Sequence, residues 1–360
     1  MARQELSQLQ AFVEASQGRS FFVGLDVHKD SYSVALRRFD GAVHTLVISA
    51  SPQVLIDELA ALGVTVAMAA SESGPTGFHL ARELTKAGIP NLVAAPSRIP
   101  RPVVWGAKTD RLDCIKLADY AAKGMLRPIA VPTEEQEAQR SLERRRHDLA
   151  DDLRRVKLRI HSHLLFWGLT EPPNLKYWSK VAVASLLKLP MHQAARYTLE
   201  SFVREMHAIT SELSLVEQQL ETICHQKEHD EVIKCLRTVP GVGPIIAATF
   251  RLELFQPERF NRAEEVTSYL GLAPMVRQSG ESKGRARLRP VGQTKLRSLL
   301  VEAAWKWRAH DSKAQAWYHK LLGKSGLAQK AITALARKLA VILWRLSLEK
   351  RDYRVEAVVA

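Results

Sequence analysis

Asp110 and Asp113 lie three residues apart in Lys108-Thr109-Asp110-Arg111-Leu112-Asp113, where a loop gives way to the helical pattern of Leu112, Leu117, Ala118 and Ala121. At that spacing both carboxylates leave one face of a first helical turn. Like charges side by side repel, so the pair costs stability unless a cation sits between them. Taken alone, the two residues read more readily as a helix start, because aspartate caps free N–H groups and complements the helix dipole. Two further acids stand at strand ends. Asp26 closes the apolar run Phe21-Phe22-Val23-Gly24-Leu25, and Glu72 follows the run Val64 to Ala70.

The elements that position these acids follow from the residue pattern. After the first run, Tyr32 to Arg38 alternates, Asp40-Gly41 is a hairpin turn signal, and Val43 to Ile48 is a third strand. Ser51-Pro52 caps a helix bearing Val54, Leu55, Leu59 and Leu62, and Gly63 ends it. A fourth strand runs into Ser71-Glu72-Ser73-Gly74. A helix follows to Gly88, then a fifth strand over Leu92 to Ala95 and a basic connection holding Trp105. A last helix spans about Asp110 to Lys123. The order βββαβαβα gives a mixed sheet with helices on its faces, the order of an RNase H-like (RuvC-like) fold. In such a sheet the first and fourth strands are neighbours whose ends open toward one edge, and the last helix packs over it. Asp26, Glu72, Asp110 and Asp113 then converge. Clustered carboxylates bind hard divalent cations, usually Mg2+. The set lacks His and Cys, which argues against zinc. His28 and Lys29 serve equally as phosphate contacts or as a solvated loop.

Lys+Arg number 52 against 38 Asp+Glu, a net charge of +14. So basic a chain usually meets a polyanion, with nucleic acid the default. No apolar run spans a bilayer and Met1 to Ser20 holds no secretory h-region, so a membrane role is not expected. Residues 1–20 read as a polar leader, helical or frayed. The odd, sparse set Cys114, Cys224 and Cys235 points to a reducing, cytoplasmic compartment. Cys224, His225, His229 and Cys235 fit no common zinc finger and read as helix surface.

Beyond the 21–130 domain the pattern is helical. In 133–230, Leu142, Leu149, Leu153, Val156 and Ile160 fall on heptad positions, with Arg146 among them. Phe202, Met206, Ile209, Leu213, Val216, Leu220 and Ile223 repeat at four and three, a coiled-coil seam. It serves a hairpin within the chain or a pairing between chains equally well. The arginines of the first helix, such as Arg144, Arg154 and Arg155, could also rest on phosphates. In 231–350, Thr238-Val239-Pro240-Gly241-Val242-Gly243-Pro244 separates two helices. It is either a helix-hairpin-helix turn, with Gly241 and Gly243 exposing N–H groups to a phosphate, or a plain glycine turn. Arg277, Lys283, Arg285, Arg287 and Arg289 crowd around Ser279-Gly280 in a flexible cationic loop suited to phosphate contact. The last helices carry Trp305, Trp307, Trp317, Tyr318 and Trp344, mostly core, with a few free to stack on bases.

Three blocks carry a family resemblance: Gly24-Leu25-Asp26-Val27-His28-Lys29, Glu72-Ser73-Gly74-Pro75-Thr76-Gly77 and Lys108 to Asp113. They resemble the DEDD transposases of the IS110 insertion-sequence family, which takes in the Piv-type DNA invertases. Pro240-Gly241-Val242-Gly243, Gln278-Ser279-Gly280 and Leu299-Leu300-Val301-Glu302-Ala303-Ala304 resemble that family's mainly α C-terminal transposase domain, in the same order. His28 and the inserted Pro75 depart from the family's blocks. The resemblance implies that Asp26, Glu72, Asp110 and Asp113 hold Mg2+ and that Ser279 forms a covalent bond to a DNA phosphate, with Ser282 its near competitor. It further implies donor and target DNA, a bridge RNA that pairs with both, and a dimer or tetramer acting at the bacterial nucleoid. Two other functions compete: a RuvC-like endonuclease that needs the four acids and no serine, and a non-catalytic nucleic-acid scaffold in which the acids are caps.

Overall fold

The computed structural model describes residues 3–100, 110–275, 278–279, 282–283, 287–288 and 292–353. The chain divides into two compact units, Met1–Thr133 and Glu134–Ala360.

The first unit opens with α1 (Arg3–Glu14), followed by β1 (Phe21–Val27), β2 (Ser31–Arg37) and β3 (Val43–Ser49). Next come α2 (Pro52–Ala61), β4 (Val66–Glu72), α3 (His79–Lys86), β5 (Asn91–Ala94) and α4 (Asp110–Ala122). The strands form one sheet in the order β3-β2-β1-β4-β5. β1 to β3 pair antiparallel, while β1–β4 and β4–β5 are parallel. This is the mixed sheet expected of an RNase H-like fold. Ser51 caps α2, its Oγ accepting from the Val54 N–H at 3.4 Å, with Pro52 in the first turn.

The two faces of the sheet differ in side-chain size. One face presents Phe21, Val23, Leu25, Val34 and Leu36 to Leu55 and Leu59 of α2 and to Leu80 and Leu84 of α3. The leader joins this layer instead of fraying. Leu9 is fully buried, and the Phe12 and Phe21 rings lie 6.1 Å apart. Burying a leucine contributes roughly 1.5–3 kcal/mol, enough to hold a short helix down. The other face presents small residues. Ala35, Gly24 and Ala70 lie side by side on β2, β1 and β4 in register, and α4 packs on them through Cys114, Leu117 and Ala118.

The second unit is helical. Its elements are α5 (Glu134–Phe166), α6 (Lys180–Leu186), α7 (Gln193–Cys224), α8 (Lys227–Arg237), α9 (Pro244–Leu254) and α10 (Ala263–Tyr269). Short strands β6 (Pro274–Met275), β7 (Gln278–Ser279), β8 (Ser282–Lys283) and β9 (Arg287–Leu288) precede α11 (Thr294–His310), α12 (Ser312–Ser325) and α13 (Ala328–Glu349). The heptad residues pair within the chain. Leu149 packs with Val216 and Leu220, while Val156, Ile160 and Leu164 pack with Leu199, Val203 and Met206, so α5 and α7 run antiparallel. Arg146, the polar residue on the seam, meets Glu217 at 2.9 Å. His229, expected on a helix surface, is buried and meets Gln139 at 3.1 Å. Trp307, Tyr318 and Trp344 are core, and Trp305 stays 39% exposed. No helix among the described residues is long and apolar enough to cross a membrane.

Candidate active site

Strand register sets the first half of the site. Leu25 of β1 lies opposite Ser71 of β4, so Asp26 and Glu72 are the residues that follow the last paired position of two adjacent parallel strands. Neighbours in register point to the same face of a sheet. Asp26 pairs across β2 with Ser33, and Glu72 across β5 with Ala94. The two carboxylates therefore sit at the carboxyl ends of adjacent parallel strands, where open α/β sheets place their ligands.

Helix α4 supplies the second half, and Gly24 is what admits it. Gly24 lies two residues before Asp26 and so shares its face. A Cβ on Gly24 would stand 1.9 Å from the Cys114 carbonyl oxygen and 2.6 Å from the Ala118 nitrogen. No other residue allows α4 so close. The approach sets the first turn of α4, which begins at Asp110, toward the acid row. Electrostatics report the same proximity. The Cys114 thiol is pushed up to about 11, first by burial and then by the charges of Asp26 and Asp113. Aspartates in a first helical turn also complement the helix dipole, which offsets part of their mutual repulsion. His28 holds Asp26 from the loop side, Nε2 to Oδ2 at 3.1 Å.

Asp26 and Asp113 thus both lie near Cys114, Glu72 ends the strand beside that of Asp26, and Asp110 begins the helix that carries Asp113. The donors are all carboxylate oxygens, the chemistry of a hard divalent cation. Among the described residues no three of them already stand in metal-holding geometry. The sequence pattern pointed to the acids, but not to the row Ala35, Gly24 and Ala70 beneath α4. Its only trace in the sequence is the small residue two places before each strand-end acid.

The serine block lies in the second unit. Its described residues form two short ladders, β6 with β9 and β7 with β8. Ser279 pairs directly across from Ser282, and Gln278 from Lys283. Arg287 lies on the outer ladder, opposite Met275. Arg277, Arg285 and Arg289 lie outside the described residues. The Gly241–Gly243 turn joins α8 to α9. Gly241 takes φ +88°, and a Cβ there would stand 2.7 Å from Lys306 Cβ and 2.8 Å from the Ala303 carbonyl oxygen. Its bareness is therefore required by packing on α11. Gly243 faces open space and caps α9, whose first residue is Pro244.

A DEDD transposase family model of the IS110 type matches residues 23–167, and the model described as "Transposase IS116/IS110/IS902 family" matches 233–319. Together they span more than half of the chain. It belongs to the IS110 family of DEDD transposases. Curated relatives agree. A putative transposase of Sinorhizobium fredii is 29% identical over 78% of this chain and 75% of its own. The transposase of insertion sequence element IS1533 from Leptospira borgpetersenii is 25% identical over 90% of this chain and 95% of its own. That of IS1111A from Coxiella burnetii is 24% identical over 78% and 77%. The transposase is accordingly a DNA-processing enzyme of a mobile element, and DEDD domains of its kind typically use divalent metal ions.

Proposed function

We propose that this transposase cuts and rejoins DNA by two transesterifications, with Asp26, Glu72, Asp110 and Asp113 as the Mg2+ ligands and Ser279 as the nucleophile. The observation that carries the reading is the parallel pairing of Gly24 with Ala70 and Leu25 with Ser71, which brings together the strand ends that bear Asp26 and Glu72, on the face that Gly24 opens to α4. Mg2+ held there would supply charge neutralisation at the phosphate and a more acidic attacking hydroxyl.

In the first step Ser279 Oγ bonds to a DNA phosphorus and the bond from phosphorus to a deoxyribose oxygen breaks. The proton lost by serine ends on the departing sugar hydroxyl. In the second step a sugar hydroxyl of the partner strand attacks the phosphoserine ester and Ser279 leaves as the alcohol. Each step exchanges one phosphate ester for another, so no external energy source is needed. The cations of the serine hairpin, Lys283 and Arg287 with Arg277, Arg285 and Arg289, hold the phosphate backbone, and Gly243 offers its turn to it.

In this division of labour 21–130 carries the acids, 133–230 is the helical hairpin and 231–350 carries the serine. The protein works as a homo-oligomer, dimer or tetramer, on donor and target DNA at the nucleoid, with a bridge RNA from its own element choosing the sites. Its strong net positive charge supports two nucleic-acid partners at once.

The decisive experiment incubates the purified protein, with RNA transcribed from its element, with labelled donor DNA and resolves the products on a denaturing gel. A covalent protein–DNA band is expected for the native protein and for Ser282→Ala, and none for Ser279→Ala or Asp113→Asn. Strand cleavage surviving in Ser279→Ala, with water as nucleophile, would replace the covalent scheme by a RuvC-like endonuclease. Sequencing the nucleic acid that co-purifies tests the RNA: a discrete non-coding transcript flanking the gene is expected, and DNA or bulk RNA alone would remove the guide.

A further inference from the structure

From Lys306 to Arg345 the chain carries nine Lys and Arg and one acid, Asp311. Asp311 does not offset them on the surface. It is buried, accepts the Ala314 N–H at 2.7 Å as the cap of α12, and accepts the Tyr353 hydroxyl at 3.0 Å. Among the described residues, Lys306, Arg308, Lys320, Lys324, Lys330, Arg337, Lys338 and Arg345 have no carboxylate within 4.0 Å. All but Arg308 are exposed.

The cations fall on ordered stripes. Lys320 and Lys324 follow Lys313 by seven and eleven residues, which places the three within about 40° of one another along some 16 Å of α12. On α13, Lys330, Arg337 and Arg345 span about 80° and some 22 Å. Each helix also brings one lysine to a single indole. Lys313 Nζ lies 5.7 Å and Lys338 Nζ 4.8 Å from the centroid of the Trp317 ring.

We propose that this α12–α13 face is a backbone-contact surface for duplex DNA, separate from the Ser279 hairpin; the choice of DNA rests on the DNA-processing reading above. Concentrated like charge destabilises a folded domain through self-repulsion, so an unpaired cationic face needs an anion to neutralise it. Duplex DNA presents one charge per about 1.7 Å of axis, a dense and regular row of phosphates. Lysine dominates the stripes, and its ammonium is a point charge that fits phosphates in any register. Such a surface positions DNA without reading its sequence.

The test is the salt dependence of binding to a random-sequence DNA duplex, measured by fluorescence anisotropy for the native chain and for Lys320→Gln/Lys324→Gln/Arg337→Gln/Lys338→Gln. Each lost phosphate contact lowers the slope of log K against log salt by about 0.9, so the fourfold variant is expected to lose up to about 3.6. An unchanged far-UV spectrum and melting point establish that the variant is folded. A slope equal to the native one overturns the proposal, as does a loss confined to single-stranded RNA. The readout is binding alone, so a protein that bound duplex through this face yet never cut it would leave the surface standing and overturn only the recombination chemistry.

Discussion

Two helical regions of this transposase are both rich in cations, and they use them in opposite ways. On α5 nearly every arginine meets a carboxylate: Arg140 and Arg144 share Glu253, Arg146 meets Glu217, Arg154 and Arg155 meet Asp151 and Asp152, and Arg159 meets Glu205. On α12 and α13 the exposed lysines and arginines stand without one. The first arrangement holds the second unit together, since Glu253 lies on α9 and Glu217 on α7. The second makes no ion pair among the described residues and is open to an external anion. Local density of Lys and Arg therefore does not identify a nucleic-acid surface; the distribution of acids around it does.

The contrast is most exposed to test at Glu253. Its carboxylate is 4% exposed and lies 3.0 Å from Arg140, itself 10% exposed. Glu253→Ala leaves a buried guanidinium without its partner, which costs about 3–5 kcal/mol. The expected result is a fall in melting temperature on the order of 10 °C. A shift of a degree or two would mean that α5 does not depend on its ion pairs. Next in size is the fourfold α12–α13 variant, whose stability should stay within about 0.5 kcal/mol of native or rise as like charges are removed. A large loss, read by urea titration, would assign those cations a structural role and erase the distinction. Smaller again is Arg154→Gln/Arg155→Gln. These pairs are exposed and screened, so neither the melting temperature nor the DNA salt slope should move much. A drop in slope like that of the α12–α13 variant would make α5 a phosphate surface after all.

The same contrast explains what could be read before the fold was seen. Asp26 and Glu72 were legible because strand alternation is local and the order of strands dictates which are neighbours. The inward side of α5 was not, because Arg140 and Glu253 are 113 positions apart and no local pattern links them. The leader looked peripheral because Leu9, Phe12 and Val13 make too short a stripe to announce a buried face. The strand pairs of the serine block leave no trace in the sequence because they are two residues each, below the length at which alternation can register. The run from Lys306 to Arg345, with its single acid, could have been counted in the sequence. Whether its one aspartate offset it could not, since Asp311 is taken up in capping a helix.

The smallest expected effect concerns pH, and it too belongs to the paired region. His229 of α8 lies between Gln139 and Arg251, with Glu228 Oε1 2.8 Å from its Nε2. Arg251 Nε donates to Nδ1 at 3.2 Å, which fixes the neutral tautomer with its proton on Nε2. Burial, and then the charge of Arg251, hold the imidazole below its ordinary value, with Glu228 opposing them. The unfolded chain takes up a proton near pH 6.5 while the folded one resists it. The unfolded state therefore binds more protons in this window, and stability declines as pH falls from about 7 toward the folded value. His229→Gln keeps a polar side chain against Gln139 and removes the titration. It should flatten the change in urea midpoint between pH 7.5 and 5.5 relative to native protein. An identical pH dependence in the two proteins would place the acid sensitivity elsewhere, in other titratable groups such as His319 of α12.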